Sequence, residues 1–161
     1  MVIMRIPKIC IIFAIAALFS IIFLNNLFDY ESNYAFVQHV LLMDTIFPNS
    51  ALGGRAINSP EVHQLAYWTI IFIEGLTSIL CLVGGIRLVR GIKISSEQFN
   101  RLKTIAALGL TLGFLLMVFG FMVIGGEWFL MWQSEKWNGL NAALRISSIC
   151  GLGYLILLQS D

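Results

Sequence analysis

The sequence predicts an all-α membrane protein, a four-transmembrane-helix bundle with a short external amphipathic helix, and three observations predict it. Of 161 residues, 58% are hydrophobic and only 12% charged, about half the charge of an ordinary soluble domain. Mean hydropathy is +0.86. Four apolar runs are each long enough to cross a ~30 Å hydrocarbon layer. The basic residues also gather on alternate sides of those runs, as they do around membrane spans. The chain has room for a single integral membrane domain across residues 1–161 and none for a separate soluble catalytic module. A formal net charge of +1 gives no basic surface for nucleic acid.

The first span is expected at about residues 6–24, just after Arg5. Its run from Ile9 to Leu24 is long for a signal core, and Asn25-Asn26-Leu27-Phe28 offers no small-x-small cleavage site, so the helix is read as retained. The second span, about 62–88, opens on Ser59-Pro60-Glu61. That is a capping hydroxyl, a proline at the first helical position and an acid in the first turn. The third, about 104–124, is expected to stop at Gly125-Gly126, and the fourth covers about 141–158. Gly109-x-x-x-Gly113, continued at Gly120, gives the third helix a flat face for close approach. Ser95-Ser96-Glu97 reads as a helix start in the turn between spans two and three.

Arg5, Lys8, Arg87, Arg90, Lys93, Arg101 and Lys103 fall on one side, against Arg55 and Lys136 on the other, with Arg145 just inside the fourth span. The positive-inside rule therefore places both termini in the cytoplasm. The external segments are then residues 25–59 and 125–139. Within the first, Asn33 to Asp44 reads as a short amphipathic helix suited to the membrane interface. The second carries Trp128, Trp132 and Trp137, and Trp68 begins the second span on the same side. These tryptophans could be a one-sided interfacial anchor or an outer-facing pocket or docking surface.

Glu74 is the main anomaly, because an ionised carboxylate inside a span costs roughly 2.5–3.5 kcal/mol on insertion scales. Helical spacing puts His63, Tyr67, Glu74, Thr77, Ser78, Cys81 and Gly85 on one stripe. Asn138, Asn141, Arg145 and Ser148 make a similar stripe on the fourth helix. Both stripes are expected to face the bundle interior, with Arg145 as the ion-pair partner of Glu74. Outer-cap binding residues are expected among His39, Asp44, His63, Tyr67, Glu127, Trp128, Trp132, Trp137 and Asn141. No cofactor is called for by any motif, although His39 and His63 could ligate haem or a metal ion. Cys10, Cys81 and Cys150 lie in separate apolar runs with no dithiol or zinc spacing. Nucleotide loop, nucleophile-elbow serine, HExxH and CxxC are all missing from the sequence.

At NLFDYESNYAFVQHVLLMDTIFP (26–48) and GGEWFLMWQSEKWNG (125–139) the chain resembles a bacterial family known as domain of unknown function 2165, described as predicted small integral membrane proteins. The resemblance covers essentially the whole chain. It implies a multi-pass protein of the bacterial inner membrane and supplies no activity, cofactor or catalytic residue. The leading expectation is a non-enzymatic accessory or interaction protein whose aromatic outer cap contacts a partner or an apolar ligand. Its surroundings would be the lipid bilayer and a membrane protein complex or a homo-oligomer. The alternatives are a proton-coupled carrier using Glu74 and Arg145, and a haem or metal redox protein using His39 and His63.

Overall fold

The computed structural model describes residues 2–160. Six α-helices follow in order: α1 (Val2–Phe28), α2 (Tyr30–Leu42), α3 (Pro60–Arg90), α4 (Ser96–Leu102), α5 (Thr104–Leu115) and α6 (Leu140–Leu158). From Leu116 to Trp128, α5 continues as a π-helical segment. Among the described residues, four helical stretches are long and apolar enough to cross a membrane: Val2–Phe28, Pro60–Arg90, Ser96–Trp128 and Leu140–Leu158.

α3 is the central member, packed between α1 and α5, while α6 lies against α5 and its π extension and closes on α1. The α3–α5 contact is backbone to backbone. A Cβ at Gly84 would stand 2.6 Å from the Ala106 amide nitrogen, and one at Gly109 would stand 3.0 Å from the Cys81 amide nitrogen. Gly109 and Gly113 thus form the expected close face, whereas at Gly120 the nearest atom, Leu116 Cδ1, is 3.5 Å away.

At the basic end the chain is tied by its cations. Arg5 donates to the carbonyls of Ile92 and Ile94 at 2.9 and 2.8 Å and its guanidinium covers the Phe99 ring at 4.2 Å. Lys8 and Lys103 both donate to the Gln159 carbonyl. Ser95 caps α4 by accepting from the Gln98 N–H. At the other end Ser59 caps α3 by accepting from Val62 N–H, with Pro60 in the first turn, as its sequence indicates.

Two boundaries and the exposure of one cysteine differ from the sequence expectation. α1 runs to Phe28 and α2 starts at Tyr30, with Asp29 alone between them. The two asparagines that look like a loop start therefore lie inside α1. The third span runs through Gly125-Gly126 to Trp128. There the glycines serve packing, since a Cβ on Gly126 would meet Leu140 Cδ2 at 2.8 Å. Finally, Cys10 is exposed while Cys81 and Cys150 are buried, and all three are free.

Candidate functional site

A buried polar seam lies between α1 and α3. His63, Tyr67, Glu74, Thr77, Ser78, Cys81 and Gly85 are all buried, so the polar stripe of α3 faces the interior. Glu74 is 2% exposed, and its Oε2 accepts a hydrogen bond from Asn26 Nδ2 at 2.6 Å. Tyr67 donates its hydroxyl to the Asn26 backbone carbonyl at 2.9 Å. One turn below, Ser20 and Ser78 share a hydrogen bond at 2.6 Å. Asn26 thus links Tyr67 and Glu74, and it can do so because α1 persists to Phe28.

The expected Glu74–Arg145 pair does not form. Arg145 is exposed on α6, as are Asn141 and Ser148, and Asn138 is exposed just before the helix. The buried face of α6 is instead Ala143, Ser147, Cys150, Gly153 and Leu157. Small and apolar residues at that spacing let α6 pack on α5 and α1, which turns the polar stripe outward. An asparagine side chain satisfies Glu74 without a second buried charge, whose desolvation would add several kcal/mol.

The two external segments lock together into a cap. His39 donates from Nδ1 to Asp44 at 2.6 Å, and its ring stacks on Trp137 with centroids 4.5 Å apart and planes 9° from parallel. Thr45 donates to Ser134 Oγ at 2.8 Å, and the Phe47 N–H donates to Gln133 Oε1 at 3.0 Å. Phe47 meets Trp132 edge-on at 5.9 Å. The Arg55 guanidinium lies 4.4 Å over the Trp128 ring and donates to the Trp128 carbonyl at 3.2 Å. Met43 and Leu130, both buried, hold left-handed backbone with φ of 53° and 56°. For residues other than glycine this conformation costs roughly 1–3 kcal/mol, offset here by burial in the core under the cap.

The outer-cap candidates therefore separate into groups. His39, Asp44 and Trp137 form one cluster, Trp128 and Trp132 belong to the lock between segments, and Tyr67 belongs to the Glu74 seam. Glu127 and Asn141 are exposed. His63 is buried and donates from Nε2 to the Ile57 carbonyl at 2.7 Å, so the two histidines serve different partners. Among the described residues, no three His, Cys, Asp or Glu side chains are grouped as metal ligands.

Under the cap is a feature the sequence does not announce. α3 and the π segment stand apart around an apolar cavity of about 600 Å³, within the ~300–1,000 Å³ range of small-molecule sites. Leu65, Thr69 and Ile73 of α3 form one wall, Leu116, Phe119 and Ile124 of the π segment the other, and Phe36 and Val40 of α2 the roof. Leu65 and Phe119 are 67% and 60% exposed, so the cavity opens sideways on the flank of the bundle. Thr69, the one hydroxyl in its lining, donates to the Leu65 carbonyl at 2.8 Å and leaves the walls apolar. π turns usually occur singly and concentrate at functional sites. Here they run for 13 residues, closed by Phe129 N–H on the Ile124 carbonyl at 3.0 Å, and form one side of the cavity.

Four apolar spanning helices, a capped end and a laterally open cavity define the class: a polytopic integral membrane protein. The chain belongs to the DUF2165 family, described as "Predicted small integral membrane protein (DUF2165)", which matches residues 4–160. The family's function is unknown. No curated protein and no solved structure matches the chain.

Proposed function

We propose that this chain is a non-enzymatic accessory protein of the bacterial inner membrane that holds an apolar, chain-shaped ligand in the cavity beneath its cap. Both termini lie in the cytoplasm and the cap faces outward, a reading supported by the seven cations at the basic end. One observation carries the ligand reading: a cavity of about 600 Å³ with apolar walls, roofed against water and open to the bilayer. Each methylene moved there from water would contribute about 0.8 kcal/mol. A chain arriving from lipid gains mainly from packing, because hydrocarbon already surrounds it.

Labelling in nanodiscs tests this. A phosphatidylcholine with a diazirine in its acyl chain should mark Ile70 and Leu116, in the cavity wall, more strongly than exposed Leu155 on α6. Ala66→Phe, which places a ring in the cavity, should abolish the excess. Equal labelling of the wall and of α6 in the unmodified protein would reject the reading.

A proton-coupled carrier is the second reading, and the observation favouring it is the buried Glu74 with Asn26 as its partner. Its test is proton flux in liposomes that disappears in Glu74→Gln. The role given to Arg145 as a gate finds no support in its exposed position.

A further inference from the structure

We infer that a second cavity, between α5 and α6 at the basic end of the bundle, holds an anionic glycerophospholipid, with its phosphate beside Lys103 and its ester carbonyls at Thr111 and Tyr154. This cavity is separate from the one beneath the cap, and the inference does not depend on what that one takes.

Lys103 stands at the junction of α4 and α5, and its ammonium crosses to the end of α6, where it donates to the Gln159 carbonyl at 2.7 Å. Only 4% of Lys103 is exposed. The contact joins two walls of a cavity of about 430 Å³, within the size range of small-molecule sites. Thr104, Ala107, Leu108 and Thr111 of α5 form one wall, at the spacing of a single helix face. Tyr154 and Leu158 of α6 form the other, and Asn100 and Ser160 complete the lining at the Lys103 end.

The chemistry changes along this lining. At one end stands a buried cation with an amide and a hydroxyl beside it. Next come the alkyl groups of Ala107, Leu108 and Leu158, and then the hydroxyls of Thr111 and Tyr154. Thr104 and Thr111 are about 10 Å apart along α5. Among the described residues the Thr111 and Tyr154 hydroxyls have no hydrogen-bond partner, although both residues belong to helices apolar enough to cross a membrane, where an unmatched hydroxyl is costly. A free phosphate would use only the Lys103 end. A glycerophospholipid uses the whole length: phosphate at Lys103, glycerol carbons across Ala107 and Leu108, and ester carbonyls accepting from Thr111 and Tyr154.

Charge selects the headgroup. The seven cations of this end stand against two acids in the sequence, Glu97 and Asp161, and Glu97 pairs with Arg101 at 2.7 Å. Basic pockets between membrane helices favour anionic headgroups, whereas a zwitterionic lipid brings its own ammonium into the same field. Lys103 supplies charge, and the Asn100 amide and Ser160 hydroxyl supply donors for phosphate oxygens.

Native mass spectrometry of the full-length protein from nanodiscs of equal parts phosphatidylglycerol, phosphatidylethanolamine and phosphatidylcholine tests this. The unmodified protein should retain phosphatidylglycerol about fivefold over its bulk share, the effect of about one basic side chain on an anionic lipid. Lys103→Gln should bring retention to the bulk ratio, and Lys103→Arg should keep the preference. Arg145→Gln, at the far end of α6, should change nothing. The paired change Thr111→Val/Tyr154→Phe leaves every charge in place and should lower total retention roughly fivefold to tenfold, the effect of two hydrogen bonds within a membrane, while the headgroup preference holds. Because it also keeps the Lys103–Gln159 contact, this variant decides the matter even where Lys103→Gln fails to fold. Retained lipid matching bulk composition, a preference lost equally in Arg145→Gln, or retention unchanged by the paired variant overturns the inference. Displacement of the lipid by excess glycerol 3-phosphate would assign the site to a soluble phosphate ester and overturn the lipid.

Discussion

Removing Asn26 should strand Glu74, whereas removing Arg145 should not. The side-chain amide of Asn26 donates to the Glu74 carboxyl at 2.6 Å in a setting where the acid is 2% exposed. Asn26→Leu deletes that donor and leaves the Tyr67 bond to the Asn26 backbone carbonyl available, so the loss falls on Glu74. A buried polar group left without its partner costs about 1–3 kcal/mol. Hydrogen bonds between membrane helices average about 0.6 kcal/mol in cycles and reach about 1.7, so a coupling of about 1–2 kcal/mol is expected. The double variant Asn26→Leu/Glu74→Met replaces both polar groups and should be milder than Asn26→Leu alone. Arg145→Leu should shift stability by no more than about 0.5 kcal/mol and add to Glu74→Met without coupling. Reversible unfolding in mixed dodecylmaltoside–SDS micelles, followed by tryptophan fluorescence, gives all the free energies needed. An Arg145–Glu74 coupling above about 1 kcal/mol, or strict additivity between Asn26 and Glu74, would refute the assignment.

Gly84→Ala should destabilise by about 1–3 kcal/mol, because its methyl would meet the Ala106 backbone at 2.6 Å, while Gly120→Ala, with 3.5 Å to its nearest atom, should stay within about 0.5 kcal/mol; melting temperatures in detergent compare the two. His39→Ala removes both the Trp137 stack and the Asp44 hydrogen bond. It should cost about 1–2 kcal/mol and speed chymotrypsin cleavage at Trp137, and unchanged cleavage would count against the lock between the external segments. With the native cysteines replaced, Ser50→Cys should react with an impermeant maleimide on intact spheroplasts, and Lys93→Cys only after lysis. Labelling of Lys93→Cys before lysis would reverse the proposed orientation.

Composition and patterning made the architecture legible. Long apolar runs cannot hide from water in 161 residues, so bilayer, span number and approximate span positions follow from transfer energetics alone. The start of α3 was legible too, because Ser59-Pro60-Glu61 satisfies local backbone requirements that need no tertiary partner. The buried stripe of α3 was readable for a similar reason: polar groups within a span must turn away from lipid. The same rule failed on α6. Asn141 and Arg145 lie near the helix start, where long or polar side chains can reach the interface instead of the interior, so their stripe did not fix the rotation of the helix. Asn26 was missed because a paired asparagine after an apolar run resembles a loop, and only the packed structure continues α1 past it to Phe28.

The sequence by itself determined what kind of solvent surrounds this chain, how often it crosses, and that Glu74 must look inward, since each depends on the transfer cost of one residue or one short run. Tertiary structure alone decided that Asn26 rather than Arg145 meets Glu74, that the two external segments interlock, and that α3 and the π segment part around a cavity. Those outcomes depend on helix rotation and on how far each helix extends. Both are set by the close packing of Gly84, Gly109 and their neighbours across the bundle, a cooperative property of many side chains at once.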